Sequence, residues 1–191
     1  MKRALSLADV AWRPPPLLTE RLCLRGWEPT DARAIFAYAS DPEVTAFVAW
    51  ETHRSLDETR GFLDGWAVEK YRQQELDYGI CWKDATATLI GGIGVYWASK
   101  AHKTMELGYV LRRDAWGSGV VPEAGRRLIR HAFEHTDVER IYAPILAPNS
   151  RSRRAAEKMG MTFEGIQRDA VLYHDQRWNV AIYSILRTDV G

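Results

Sequence analysis

The sequence predicts a mixed α/β domain, because strand and helix signals alternate along most of its 191 residues. One predicted strand comes first and helices follow it. Three strands then lie in the middle, and the order helix, strand, helix, strand, strand closes the chain. Short polar loops join the three middle strands, which is typical of an antiparallel meander. The succession of strand, helix and strand in the second half predicts a right-handed crossover and therefore a partly parallel sheet.

Local signals in the first half predict one strand and three helices. Residues 20–27 alternate apolar and polar side chains, as a half-buried strand does. Each helix follows a residue type that commonly caps a helix N-terminus, and the third helix begins with a capping box. The predicted helices cover residues 31–40 after Thr30, residues 42–48 after Asp41, and residues 56–73 after Ser55.

The rest of the chain alternates between two further helices and strands rich in β-branched and aromatic residues. A helix over residues 120–135 has apolar side chains at i, i+3, i+4 and i+7, so one face should lie on the sheet. Asn149 is expected to cap the second helix, which Gly160 ends. The predicted strands are residues 76–82, 88–97, 104–111, 141–147, 161–173 and 178–187.

Composition and length predict a single soluble globular domain. Apolar residues make up 46% and charged residues 27% of the chain, and the formal net charge is +1. This charge excludes a strongly polyelectrolyte protein, so nucleic acid is not an expected partner. The proline run at residues 14–16 marks an extended lead-in over residues 1–17, and the domain is expected to cover residues 18–191.

The two cysteines and the apolar pattern predict a cytoplasmic protein. Cys23 and Cys81 have the spacing of neither a metal site nor a disulfide framework, and we expect free thiols on neighbouring strands. No apolar secretory segment follows residues 1–3. No apolar run approaches the roughly 20 residues that cross a membrane, so no membrane association is expected.

A glycine-rich turn before the helix over residues 120–135 is the most informative local feature. Gly117 and Gly119 flank Ser118, and Pro122 lies in the first helical turn. Such a turn directs backbone N–H groups towards one spot at a helix N-terminus, where phosphate binds well. The alternative is a plain turn. A P-loop and a dinucleotide fingerprint are both excluded, because they require Lys-Ser/Thr or a final glycine where this chain has valine and proline.

The segment His131–His135 matches H-x-x-E-H, a zinc-protease pattern with two histidines on one helical face. A catalytic zinc requires a third protein ligand, and no acidic helix follows to provide it. The motif also occupies the last turn of its helix, where histidines suit the helix dipole and often face water. No metal site is therefore expected.

Several segments resemble the GNAT superfamily of N-acetyltransferases. The run ELGYVLRRDAWGSGVVPEA at residues 106–124 and the run PNSRSRRAAEKMGMTFEG at residues 148–165 resemble its acetyl-CoA-binding core. The segments LLTERLCLRGW, DPEVTAFVAW and NVAIYSIL resemble the branch of ribosomal-protein N-terminal acetyltransferases, the RimJ/RimL type. Matches in the correct order across residues 18–187 make the resemblance more specific than any single motif.

The resemblance implies a fold and a cofactor, acetyl-CoA. The fold is a central, mostly antiparallel sheet of about seven strands flanked by helices, splayed between the fourth strand (104–111) and the fifth (141–147). The glycine turn is implied to hold the CoA pyrophosphate, and the fourth strand to pair with the pantetheine arm. The implied cofactor-binding residues are Tyr109, Val110, Leu111, Trp116, Gly117, Ser118, Gly119, Val120, Val121, Pro122, Asn149 and Ser152.

The chemistry expected of such a site is acetyl transfer from a thioester to a primary amine. No cysteine lies in the cofactor motifs, so direct attack by the amine in a ternary complex fits better than a ping-pong route. Glu106 is the candidate general base, and a surface glutamate on a half-exposed strand is the alternative. Ser152 is the candidate to hydrogen-bond the CoA sulfur and relay a proton to it. Tyr173 is the second candidate for that role, with aromatic packing as its alternative.

The acceptor is the part of the function that the sequence defines least. The family branch implies a protein N-terminal α-amino group. The alternatives are a small-molecule amine (a polyamine, amino acid or aminoglycoside) and a domain that binds acyl-CoA without catalysis. Trp50 and Tyr173 are the candidate acceptor-contacting residues, although tryptophan is equally common in a core. Members of the family often dimerise, which makes a homodimer a candidate assembly.

Overall fold

The computed structural model describes residues 6–190, so residues 1–5 of the predicted lead-in, together with Gly191, lie outside the described residues. The strands are β1 (Leu17–Leu18), β2 (Leu22–Arg25), β3 (Leu76–Trp82), β4 (Ala85–Ser99), β5 (Thr104–Leu111), β6 (Arg140–Leu146), β7 (Thr162–Tyr173) and β8 (Gln176–Leu186). The α-helices are α1 (Ala32–Ala39), α2 (Pro42–Thr45), α3 (Leu56–Arg72), α4 (Val120–His135) and α5 (Ser150–Lys158). No helix among residues 6–190 has the length and apolar character that a membrane span needs.

The strands form one sheet in the order β1-β2-β3-β4-β5-β6-β8-β7. β5 and β6 run parallel, as the predicted crossover through α4 requires, whereas β6 and β8 run antiparallel. The mixed fold is therefore confirmed. The sheet has one strand more than predicted, because Leu17 and Leu18 pair with Leu24 and Cys23. Two residues are too few for an alternating pattern to reveal a strand.

Two of the three helix starts predicted for the first half are confirmed. α2 and α3 are each capped by the side chain before them, Asp41 and Ser55. The helix predicted over residues 31–40 is present as α1, but the Thr30 cap predicted for it is wrong, because a 3-10 turn over Pro29–Asp31 precedes this helix. The Asp31 carboxylate of that turn accepts a hydrogen bond from the Glu28 amide at 2.7 Å. The Thr30 hydroxyl instead donates to the side chain of Glu28.

The chain divides into two compact units, which are described separately. The first unit comprises the residues up to Gly94 and Tyr109–Ser118, and the second comprises Val95–Gly108 and the residues from Gly119 onward. In the first unit, Leu7, Trp27 and Tyr71 belong to one buried apolar cluster. Leu7 lies within the predicted lead-in, and the start of the domain at residue 18 stays a prediction.

The two cysteines lie beside each other in the first unit. Cys23 on β2 is the register partner of Cys81 on β3, and both are buried free thiols. The prediction of free thiols on neighbouring strands is confirmed. Burial raises the pKa of Cys81 to about 11, so this thiol stays protonated at neutral pH.

In the second unit, α4 is fixed at both its middle and its end. A Cβ at Gly125 would lie 1.9 Å from the Met159 sulfur, so only glycine allows this close packing. The Arg187 guanidinium donates hydrogen bonds to the carbonyl oxygens of Phe133 and Val138, just at and beyond the last turn. The contact with Phe133 satisfies one of the carbonyl groups that a helix C-terminus otherwise leaves without partners.

Candidate cofactor-binding and catalytic site

The parallel strands β5 and β6 are joined over a short distance only. Their register runs from Thr104 with Arg140 to Glu106 with Tyr142, which is three residue pairs. On its other side, β6 pairs with β8 along its whole length. Pro144, which has no amide to donate, lies in the part of β6 beyond the pairing with β5. The short pairing agrees with the predicted splay between these two strands.

Three residues of β5 are implied by the resemblance to contact pantetheine, and they belong to the first unit. Tyr109 and Val110 are partly exposed, and Leu111 is buried. The Trp116 indole N–H donates a hydrogen bond to the Leu111 carbonyl at 2.8 Å, and its ring packs against the buried cluster of this unit. Trp116 therefore joins the end of β5 to the glycine turn, and its contact with a cofactor stays a prediction.

The first residues of the glycine turn are held by contacts to their oxygen atoms. Gly117 has φ +76°, a conformation that favours glycine. The Ser118 hydroxyl donates to the Ala115 carbonyl at 2.6 Å, and the Arg21 guanidinium donates to the Ser118 carbonyl at 3.1 Å. The amides of Gly117 and Ser118 have no hydrogen-bond acceptor among residues 6–190. Both N–H groups are therefore available to a ligand.

The N-terminus of α4 begins the second unit and offers the same kind of donor. Gly119 is the N-cap, with φ +79°, and its carbonyl accepts the first helical hydrogen bond from the Glu123 amide at 3.1 Å. The amides of Gly119, Val120 and Val121 find no acceptor within the described part of the chain. Pro122 has no amide hydrogen, so it adds no unsatisfied donor.

The backbone, and not the side chains, is what this helix end presents to a ligand. The side chains of Val120, Val121 and Pro122 are all buried. Unpaired N–H groups and the positive end of the helix dipole both favour a bound anion. The arrangement can therefore bind a phosphate or diphosphate without any charged side chain.

Glu106 lies on β5 in the second unit, where the pairing with β6 ends. It is half-buried and alternates with the buried side chains of Met105 and Leu107, as the strand pattern predicts. The Tyr142 hydroxyl donates a hydrogen bond to Glu106 Oε2 at 2.8 Å. Burial, and then the hydrogen bond and charge of Glu106, raise the pKa of Tyr142 to about 12. The phenol is therefore protonated, and a donor, at neutral pH.

Tyr142 was not among the site residues predicted from the sequence. The two residues lie 36 positions apart in the chain, and only the register of β5 with β6 brings them together. A tyrosine in a strand is ordinarily a packing residue, so composition gives no signal for this contact. The parallel crossover was predicted, but a one-residue shift of register would have separated the two side chains.

Asn149 and Ser152 lie at the start of α5. The Asn149 side-chain oxygen accepts a hydrogen bond from the Ser152 amide at 3.1 Å, which confirms Asn149 as the helix cap. Ser152 is partly exposed in the first turn of this helix. The contacts of either residue with CoA stay predictions.

The two candidate acceptor-contacting residues lie in different units. Trp50, in the first unit, packs against His53 and Phe62 with ring centroids 5.2 Å and 6.0 Å away. Tyr173 ends β7 in the second unit, and its carbonyl accepts a hydrogen bond from the Trp178 indole at 3.2 Å. Both environments are compatible with packing, and the acceptor role of either residue stays a prediction.

The H-x-x-E-H motif places three possible metal ligands near one another. Ligand atoms of His131, Glu134 and His135 all lie within 4.8 Å of one another. The expectation that the histidines face water is wrong for His131, which is only 6% exposed and whose pKa burial lowers. At 1.5 Å per residue, the motif begins about 17 Å along α4 from its first residue. An ion there would be too distant to act on a group bound at that helix start.

Comparisons with known proteins agree with this fold. Residues 21–162 match the family model of the acetyltransferase (GNAT) domain. The uncharacterized N-acetyltransferase YoaA of Bacillus subtilis is 30% identical over 91% of this chain and 97% of its own length. The ribosomal-protein-serine acetyltransferase of Escherichia coli is 28% identical over 50% of this chain and 54% of its own. The structure of the ribosomal α-N-protein acetyltransferase RimL in complex with coenzyme A has a TM-score of 0.79 at 19% identity, covering 90% of this chain and 98% of that one.

These matches confirm the resemblance on which the fold and the cofactor were predicted. The family match covers the segment from β2 through the glycine turn to α5, including every residue implied to bind CoA. The chain belongs to the GNAT acetyltransferase family and is an acetyl-CoA-dependent N-acetyltransferase.

Proposed function

We propose that this enzyme transfers an acetyl group to the N-terminal α-amino group of a protein, by direct attack of the amine in a ternary complex with acetyl-CoA. The unpaired amides from Gly117 to Val121 are the observation on which the proposal mainly rests, because they suit the CoA diphosphate. In this proposal the strand segment Tyr109–Leu111 binds the pantetheine arm. Asn149 and Ser152 contact its far end.

Direct attack is supported by the state of the two cysteines. A ping-pong route requires a nucleophilic thiolate that receives the acetyl group first. Cys23 and Cys81 are the only cysteines in the sequence, both are buried, and the pKa of Cys81 is raised. Neither thiol is suited to attack a thioester, which leaves the acceptor amine as the nucleophile.

In the proposed reaction, Glu106 removes one proton from the acceptor ammonium, directly or through a water molecule. The amine nitrogen attacks the thioester carbonyl, and the C–N bond forms. The C–S bond then breaks, and CoA leaves as a thiolate that takes up a proton, with Ser152 positioned to hydrogen-bond the sulfur. Such an acid–base contribution is worth on the order of 10²-fold or more in rate.

A protein N-terminus is proposed as the acceptor because of the relative from Escherichia coli, which is named for acetylating a ribosomal protein. That match covers only half of this chain, so a small-molecule amine is the competing acceptor. Trp50 and Tyr173 are proposed to contact the acceptor. A cytoplasmic location is part of the same proposal, since acetyl-CoA and nascent protein N-termini are both found there.

A homodimer is also part of the proposal. β7 lies at one edge of the sheet, and the large apolar side chains of Phe163, Ile166 and Leu172 on it are 45%, 44% and 58% exposed. An exposed edge strand with apolar side chains suits pairing with a second copy. Light scattering of the purified protein would test this, and a monomer at all concentrations would contradict it.

The acceptor can be tested by incubating the enzyme with acetyl-CoA and a panel of decapeptides and small amines while following release of free thiol. We expect the fastest release with decapeptides that carry a free α-amino group, and none with the same peptides after N-terminal acetylation. A higher rate with spermidine or an aminoglycoside than with every peptide would refute the protein acceptor. No release with any amine would refute the catalytic role assigned to Glu106 as well.

A further inference from the structure

We propose that Tyr142 is a positioning residue for the general base: its hydroxyl holds the Glu106 carboxylate in the orientation that accepts the proton of the acceptor amine. This inference rests on the proposed role of Glu106. The contact that suggests it is the 2.8 Å hydrogen bond from the Tyr142 hydroxyl to Glu106 Oε2.

The backbone around this contact restricts the geometry of both side chains. Glu106 and Tyr142 are partners in the last residue pair of the parallel β5–β6 register. Their side chains therefore leave the same face of the sheet at a fixed separation. Tyr142 is also paired with Ser184 on the other side, so its backbone is held by two strands. A glutamate side chain has three rotatable bonds, and a fixed donor at its end reduces the number of orientations it adopts.

The hydrogen bond leaves most of the carboxylate free to react. An ionised carboxylate has two oxygens and about four acceptor positions, of which Tyr142 occupies one on Oε2. The raised pKa of Tyr142 means that its hydroxyl remains a donor across the pH range in which an amine is acetylated. Glu106 can therefore accept a second hydrogen bond, from the ammonium group or from a bridging water, without losing the first.

Arg140, which precedes Tyr142 by two residues on β6, is engaged by a different carboxylate. It donates two hydrogen bonds to Glu164 at 2.5 Å and 2.6 Å. Glu164 is held in turn by the Ser184 hydroxyl at 2.7 Å. Arg140 is thus engaged by the carboxylate from β7, and the Glu106 carboxylate accepts its hydrogen bond from a neutral donor, the Tyr142 hydroxyl. A neutral donor fixes the carboxylate without the strong ion pair that an arginine would form.

The same unit contains a matched control for this contact. The Tyr183 hydroxyl donates a hydrogen bond to Glu157 Oε1 at 3.0 Å. This pair is also a tyrosine–glutamate hydrogen bond, although the Tyr183 hydroxyl in addition accepts one from Arg153 Nε at 3.2 Å. Glu157 lies on α5 and has no proposed role in proton transfer. Removing the Tyr183 hydroxyl therefore reports on the loss of a tyrosine–glutamate hydrogen bond as such.

The test is a double-mutant cycle in the full chain, with Tyr142→Phe, Glu106→Gln and both together. Rates are measured with acetyl-CoA and two acceptor probes, a decapeptide with an N-terminal serine and spermidine. We expect Glu106→Gln to lower kcat by about 100-fold and Tyr142→Phe to lower it by about 10-fold, since misplacing a catalytic group by about 1 Å costs up to about 100-fold. In the Glu106→Gln background, Tyr142→Phe should change kcat by less than about twofold.

Two further readouts separate positioning from damage to the fold. The Kd for acetyl-CoA and the Tm should be unchanged in Tyr142→Phe, and Tyr183→Phe should retain kcat within about twofold. The inference is overturned if Tyr142→Phe keeps wild-type kcat, or if it lowers kcat equally with and without the Glu106 carboxylate. If Glu106→Gln itself keeps wild-type kcat, then the proposed base is wrong and the failure lies in the proposed function.

Discussion

Gly119 is the position at which a single substitution tests the diphosphate site most sharply. Its φ of +79° and its place as N-cap put any side chain at 119 beside the unpaired amides of Val120 and Val121. In Gly119→Asp, the new carboxylate can accept hydrogen bonds from those amides and occupy the anion site itself. It also places a negative charge close to any bound diphosphate.

The magnitude follows from Coulomb's law. Two like charges about 5 Å apart repel by roughly 1 kcal/mol in water and by roughly 3 kcal/mol at an effective dielectric constant of 20. One such pair weakens binding by about 5-fold to about 150-fold, and a diphosphate carries more than one charge. The left-handed backbone adds a conformational cost of about 1 kcal/mol for a residue other than glycine.

Gly119→Asn is the matched control, because asparagine has the same size and tolerates φ > 0 but carries no charge. Calorimetric titration with coenzyme A should give a much larger Kd for the Asp variant than for the Asn variant, and added salt should narrow the difference. Equal affinities for the two variants, or wild-type affinity in Gly119→Asp, would refute a diphosphate bound at this helix start.

Three further predictions concern the parts that hold the site in place. Arg21→Ala removes the guanidinium that donates to the Ser118 carbonyl, so the Kd for coenzyme A should rise by about 3- to 10-fold. Arg60→Ala, at an exposed position on α3, is the control and should leave this Kd unchanged. Gly125→Ala should lower the free energy of unfolding by about 1–3 kcal/mol because the new methyl group meets Met159, and a urea midpoint equal to wild type would contradict this. The hydrogen bonds and charge of Arg140 lower the pKa of Glu164 in the folded protein. The ionised carboxylate therefore stabilises the fold at pH values above the pKa that Glu164 has in the unfolded chain, and this stabilisation is lost as the pH falls through the lower pKa of the folded protein. Glu164→Gln should therefore flatten the decline of Tm at acidic pH, and a parallel decline in both proteins would show that Glu164 does not contribute.

Elements with a strong local signal were predicted well from sequence. β3 and β5 have the predicted bounds, and α4 covers the predicted residues, because alternation or helical periodicity extends over each whole element. The cap of α1 was predicted wrongly, since Asp31 and Thr30 are both good capping residues and the proline at 29 favours a 3-10 turn that uses Asp31. Local propensity alone does not choose between two adjacent caps.

The site shows the same division between local and tertiary information. The glycine turn was predicted because Gly117 and Gly119 satisfy a local conformational requirement, and both have positive φ. The contact of Tyr142 with Glu106 depends on the register of two strands separated by a helix, and no local pattern encodes that register. The burial of His131 was also not predicted, because it depends on tertiary packing. The sequence of a helix does not show which of its faces another segment of the chain covers.

The most direct test of the account is the backbone amide NMR spectrum of residues 117–121 during titration with coenzyme A. These five amides have no acceptor among residues 6–190, so a diphosphate that binds them should move their proton resonances downfield and slow their exchange with solvent. Inorganic pyrophosphate should move the same resonances. Desulfo-coenzyme A lacks the thiol but retains the diphosphate, so it should shift the five amide resonances as far as coenzyme A does. Unshifted amides at saturating coenzyme A, with changes elsewhere in the chain, would contradict the claim that this helix start binds the cofactor.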